Sequence, residues 1–159
     1  MSARPDLRWK EEGYLVSATG KAPGGPVRMG AESVPTSAGE ARRQVQGALD
    51  GYGRRTGRVV STEVGYDVAL AVSELVTNAL RHGAGLRGFH AAVTGDLLHV
   101  EVADHNTAEP HTAVGGDALS GAGAGGLGWP IVQSVAEHLS ITPNTAGKTI
   151  SATFRLRFD

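Results

Sequence analysis

Glu74 and Asn78 stand four residues apart in the run Ala69-Leu-Ala-Val-Ser-Glu74-Leu-Val-Thr-Asn78-Ala-Leu-Arg81-His82-Gly83. On a helix this spacing stacks the two side chains on one face. A carboxylate and an amide oxygen stacked in this way can hold a hydrated Mg²⁺, a hard cation that takes oxygen donors and shares them with phosphates. The same spacing also describes an ordinary polar helix face, and on spacing alone both readings stand. A second candidate lies downstream, where Gly115, Gly116, Gly121, Gly123, Gly125, Gly126 and Gly128 precede Pro130. A glycine-rich loop entering a helix N-terminus presents unpaired N–H groups and the positive end of the helix dipole, and phosphate is its natural guest. A flexible linker is the alternative meaning of such a stretch. Gly121 to Gly126 contains G-x-G-x-x-G, but no convincing strand precedes it and only 33 residues follow, so a dinucleotide-binding βαβ unit is not expected.

The elements that must position these groups are legible from periodicity. Ser37 is an N-cap candidate with Glu40 three residues later, and Ala41, Val45, Ala48 and Leu49 continue at helical spacing, which predicts a helix over 38–52. From Thr62 to His82, the residues Val68, Ala71, Val72, Leu75 and Ala79 form an apolar stripe to bury on a sheet. Arg81 and His82 suit the negative end of that helix, and Gly83 is placed to close it in a left-handed conformation. Phe89–Val93 and Leu97–Val102 alternate around Thr94-Gly95-Asp96 and predict an antiparallel pair. An irregular stretch over 104–128 follows, of a length usually reserved for lids and binding loops. Pro130 at a first helical position, with Ile131, Val132, Val135 and Leu139, predicts a further helix. Lys148–Phe158 alternates as a half-buried strand. Residues 1–33 read as an extension ending in one short strand, and 34–159 as the domain.

Composition narrows the function classes. With 159 residues and 16.4 kDa, one core is expected. The 15 Lys and Arg against 16 Asp and Glu leave a net charge of -1, so no general attraction to nucleic acid or an anionic membrane is expected. The absence of cysteine excludes disulfides, thiolate metal sites and a cysteine nucleophile. No apolar run approaches the ~18 residues of a membrane span, and a cytoplasmic protein is expected.

These pieces together resemble the GHKL ATPase superfamily, and within it the small single-domain anti-sigma factor serine/threonine kinases of bacteria, with a histidine-kinase-like ATPase domain. The run from Glu74 to Gly83 is similar to that family's N-box, E-x-x-x-N-A-x-x-H-G. Asp104 falls where the family places the aspartate that accepts from the adenine amino group. Gly125-Gly126-Leu127-Gly128 resembles the second glycine box, and Gly147-Lys148-Thr149 the start of the last strand. In the first glycine box the chain departs from D-x-G-x-G, reading Asp104-His105-Asn106-Thr107-Ala108.

The resemblance implies an α+β two-layer sandwich, with a mixed, mainly antiparallel sheet and helices on one face. It implies ATP and Mg²⁺ as ligands, with Glu74 orienting or deprotonating the attacking group and Asn78 ligating the metal. Gly125, Gly126, Leu127 and Gly128 would approach the phosphates, with Arg81 and His82 near them, and Thr149 would support the adenine through a water. The implied role is partner switching: sequestering a sigma factor and phosphorylating an anti-sigma factor antagonist, a STAS-domain protein, with a homodimer as the implied assembly. The altered glycine box gives the alternative, a binding module of the same fold that sequesters a regulatory protein without phosphotransfer.

Overall fold

The computed structural model describes residues 33–107 and 128–159 with their side chains, and the backbone of 7–9 and 15–17. Packing divides the chain into Met1–Ser33 and Val34–Asp159. In the first unit, β1 (Leu7–Trp9) and β2 (Leu15–Ser17) pair antiparallel, with Trp9 opposite Leu15. Two short strands therefore stand where the sequence pattern gave one.

In the second unit, α1 spans Ala38–Thr56. Ser37 is its N-cap, with Oγ accepting from the Glu40 N–H at 3.2 Å, and the Glu40 carboxylate reaches back to accept from the Thr36 N–H at 2.6 Å. One of the helix's unpaired donors is thereby met, and the residue before the cap is tied to the first turn. The helix runs one turn past the expected end at 52, because its stop is Gly57, in the left-handed region at φ 69° with its N–H on the Gly53 carbonyl. Then α2 covers Thr62–His82 and buries Val68, Ala71, Val72, Leu75, Val76 and Ala79, the expected stripe with Val76 added.

The sheet comprises β3 (Leu86–Thr94), β4 (Leu97–Asp104), β5 (His138–Asn144) and β6 (Gly147–Arg155) in the order β3-β4-β6-β5. All three pairings are antiparallel. Alternation along β4 and β6 sends Leu98, Val100, Val102, Ile150, Ala152 and Phe154 into one core with the helices. Each fully buried side chain of this size contributes about 1.5–3 kcal/mol. The fold is α+β, with three helices on a four-stranded antiparallel sheet. No parallel pairing occurs among the described residues.

Between β4 and β5 lies α3 (Gly128–Val135), which buries Trp129 and Val132. Pro130 is its third residue rather than its first, still within the turn whose N–H groups have no helical partner. Leu139, expected on this helix, instead faces Ala152 in β5. The helix ends at Val135, and His138-Leu-Ser-Ile-Thr alternates into a hairpin closed where the Asn144 side chain accepts from the Ala146 N–H at 2.8 Å. No helix among the described residues is long and apolar enough to cross a membrane.

Candidate functional site

Glu74 and Asn78 are half-buried on α2, one turn apart, rather than standing on a fully exposed face. Gly128, the first residue of α3, is buried against Glu74: a Cβ built there would overlap its carboxylate. The carboxylate thus stands at the N-terminal end of α3, where the helix dipole favours negative charge. Only glycine allows α3 to start this close to Glu74. Among the described residues no group of three or more His, Cys, Asp or Glu could hold a metal. The oxygens present suit Mg²⁺ in the manner it usually adopts, one or two protein ligands with the remainder from water and phosphate.

A second cluster forms further along, at the C-terminal end of α2. Asp104 ends β4 and is 3% exposed. Its Oδ1 accepts from the Asn106 N–H at 2.9 Å, and its Oδ2 lies 2.7 Å from Nζ of Lys148. Lys148 is 5% exposed, sits directly across from Asp104 in the β4–β6 register, and also donates to the Asn106 carbonyl at 3.3 Å. The pair answers a local electrostatic problem. The Asp104 carboxylate abuts the C-terminal end of α2, which is itself negative, and a buried charge there requires a counterion.

The chain after β4 also completes that helix end. The His105 N–H donates to the Gly83 carbonyl at 2.9 Å and the Asn106 side-chain amide donates to the His82 carbonyl at 2.7 Å. Asn106 occupies the first altered position of the glycine box, and there its side chain satisfies the His82 carbonyl, which a glycine would leave to water. Gly83 has φ -96°, not the left-handed value expected; Ala84 at 57° and Gly85 at 99° make the turn. What Gly83 supplies is space, since a Cβ would lie 2.5 Å from Oδ2 of Asp104. Gly147 does the same from β6, where a Cβ would overlap the Asp104 carbonyl.

The structure thus brings Glu74 and Gly128 together, with Asn78 one turn further along α2, and places Asp104 beside the end of the same helix. Arg81 and His82 are exposed in the last turn. Gly125, Gly126 and Leu127 lie outside the described residues. Thr149 does not join Asp104: it pairs with Ala103 and shares the opposite sheet face. Strand side chains alternate, so a one-residue step changes face, and the position facing Asp104 belongs to Lys148, a residue the motif reading passed over. Its signal was present in the sequence, since Lys148 has the parity of Ile150, Ala152 and Phe154 in a strand whose buried face is apolar.

That opposite face has its own electrostatics. Burial pushes the Glu101 carboxyl up to about 7, against the lowering effect of the Ser151 hydroxyl that donates to it at 3.2 Å. Burial also holds His99 below its ordinary value, with Nδ1 3.1 Å from the Thr153 hydroxyl.

Comparison with known proteins assigns the fold. The family described as the histidine kinase-like ATPase domain matches residues 31–154. The chain belongs to this family. The histidine kinase-like ATPase domain is part of the GHKL superfamily, so membership supports an ATP-binding function. No curated protein is matched by the chain. Among solved structures, the domain is similar to the blue-light activated histidine kinase of Erythrobacter litoralis, at 25% identity and TM-score 0.43 over 61% of this chain and 32% of that one. It is similar also to the histidine kinase domain of the same protein, at 21% identity and TM-score 0.47 over 80% of this chain and 66% of that one. The chain therefore spans a third of the one and about two thirds of the other.

Proposed function

We propose that the chain is an ATP- and Mg²⁺-dependent regulator of transcription that acts in the cytoplasm, sequesters a sigma factor and phosphorylates a serine or threonine of an anti-sigma factor antagonist. The observation that carries the nucleotide part is the placement of Glu74 against Gly128: a carboxylate at a helix N-terminus, with the Asn78 amide one turn along the same helix. In this reading the Asn78 amide oxygen ligates Mg²⁺, and the start of α3 faces phosphate oxygens with its unpaired N–H groups. Bound Mg²⁺ neutralises charge on the phosphates during transfer. Glu74 accepts the proton of the attacking hydroxyl as its oxygen bonds the γ-phosphorus and the bond to the ADP oxygen breaks. Asp104 reads the base. The product carries about -1.5 to -2 added charges, enough to release a contact by repulsion and desolvation. The sigma factor, the STAS-domain antagonist and a homodimer belong to this proposal through the resemblance of the N-box.

A second reading has its own observation. Asp104 is engaged by Lys148, and Asn106 stands in place of a glycine, which favours a module that sequesters its partner with weak or no transfer. Calorimetric titration with ATP, with and without Mg²⁺ and with GTP as control, tests the shared nucleotide step. Metal-dependent ATP binding is expected; no binding at millimolar nucleotide refutes it. Labelled phosphate transfer to candidate antagonists, lost in Glu74→Gln, then separates kinase from sequestering module.

A further inference from the structure

The ion pair between Asp104 and Lys148 bears directly on the proposed role of Asp104 in reading the base. Each partner is nearly inaccessible, with side-chain exposures of 5% and 7%, and the two charged groups meet at 2.7 Å. Oδ1 is taken by the Asn106 N–H, and Oδ2 is held by the ammonium and backed by the Cα of Gly83. The carboxylate that would accept from a 6-amino group is therefore already serving two donors of the chain itself. Strand register makes this a fixed arrangement: Lys148 lies directly opposite Asp104, and Gly147 allows the backbones to approach.

We propose that Lys148 is a specificity-determining residue of the nucleotide site, an internal ammonium that competes with the base amino group for Asp104. The inference rests on the reading of Asp104 as the base-recognising group. A 6-amino purine must share or displace a charge-assisted hydrogen bond to use Oδ2, so its affinity is lowered. A 6-oxo purine has an acceptor at the same position, and Lys148 supplies a donor for it. A carboxylate alone rejects the oxo group by lone-pair repulsion; a carboxylate beside an ammonium does not. The chain is therefore a weak discriminator between adenine and hypoxanthine, and the pair sets the ratio.

The test is calorimetric titration of the full chain with ATP and with ITP, in the wild type, Lys148→Met and Lys148→Arg. In the wild type, the two nucleotides are expected to bind within about tenfold of each other, where a site built to read one polar group discriminates by about 10⁴ or more. Lys148→Met leaves the buried Asp104 carboxylate without its counterion, so the variant should melt lower without nucleotide; in the folded variant the base amino group becomes the missing partner, and ATP should bind about tenfold more tightly, the equivalent of one displaced hydrogen bond to a charged group, with a wider ATP to ITP ratio. Lys148→Arg keeps a cation at the strand position and should keep the wild-type ratio. A wild-type preference for ATP above about 100-fold overturns the proposal without recourse to any variant. Equal ratios in wild type and a folded Lys148→Met also overturn it, as does an ATP affinity that falls in Lys148→Met. Those outcomes leave the nucleotide site itself standing. Absence of binding by every protein with either nucleotide overturns the ATP reading and this inference with it.

Discussion

Replacing a glycine by alanine at two places in α2 and its cap should have opposite effects on stability. At Gly83 a Cβ would lie 2.5 Å from Oδ2 and 2.6 Å from Cγ of Asp104, and 2.7 Å from the Ala79 carbonyl oxygen. The first two atoms belong to a residue that is 3% exposed and whose side chain is held by Lys148 and Asn106, so it has nowhere to go. The third is helix backbone. Overpacking of this kind costs about 1–3 kcal/mol, offset by about 0.4–1 kcal/mol from the reduced freedom of the unfolded chain. A net loss of about 1–2 kcal/mol lowers the melting temperature by roughly 4–8 °C for a domain of this size. At Gly65, also in α2, a Cβ meets nothing within 4 Å. The same substitution there should stabilise by about 0.5–1 kcal/mol, the helix-propensity difference alone. Thermal melts followed by circular dichroism, with urea titrations to check that the denaturant slope is unchanged, measure both. Gly83→Ala should also weaken ATP binding, since it moves Asp104, while Gly65→Ala should not. The reasoning fails if Gly83→Ala is as stable as the wild type, or if the two substitutions shift the melting temperature in the same direction.

The remaining predictions concern the core, the metal ligand and pH. Trp129→Ala should cost about 3–5 kcal/mol by emptying the place where α3 enters the core, and should be read as a melting shift; a shift within error would mean that α3 is not part of the cooperative unit. Asn78→Ala should abolish the Mg²⁺ dependence of ATP binding while changing stability by less than about 1 kcal/mol, and an unchanged metal dependence would remove Asn78 from the site. The Glu101 carboxyl is raised from 4.5 to about 7 by burial, so the folded state holds its proton more tightly than the unfolded state. Its stabilising contribution is complete below pH 4.5 and is lost as pH rises through about 7. Glu101→Gln, neutral throughout, should flatten the melting profile across that window and exceed the wild type at pH 8; parallel profiles would refute the burial argument.

Much of the site was legible because helices advertise themselves by period and cap. The stripe from Val68 to Ala79 fixed which face of α2 is buried, and thereby where Glu74 and Asn78 lie. The capping pair Ser37 and Glu40 marked the start of α1. Its end was less legible because Gly51 and Gly53 lie inside the helix and resemble a stop, whereas the true stop is the left-handed Gly57. β5 was missed for a different reason: Leu139 continues the spacing of Val132 and Val135 well enough to extend a helix, and only pairing with β6, a contact far along the chain, shows that it is a strand residue. Gly83 was correctly seen as necessary but for a conformational reason, when the requirement is space for Asp104. No local pattern could show that, because Asp104 is 21 positions away.

Lys148 carries the larger lesson about parity. In a strand whose even-numbered residues Ile150, Ala152 and Phe154 enter the core, an even-numbered lysine must either break the pattern or bring a buried partner. A buried ammonium without one is too costly to persist, so the strand pattern alone called for a carboxylate nearby. The antiparallel register then names it, since the residue opposite Lys148 is Asp104. The motif directed attention to Asp104 as a group awaiting a ligand, and parity shows it as a group that already has one. In the proposed nucleotide site both descriptions meet at the same oxygen atom, and the competition between them would decide which base is accepted.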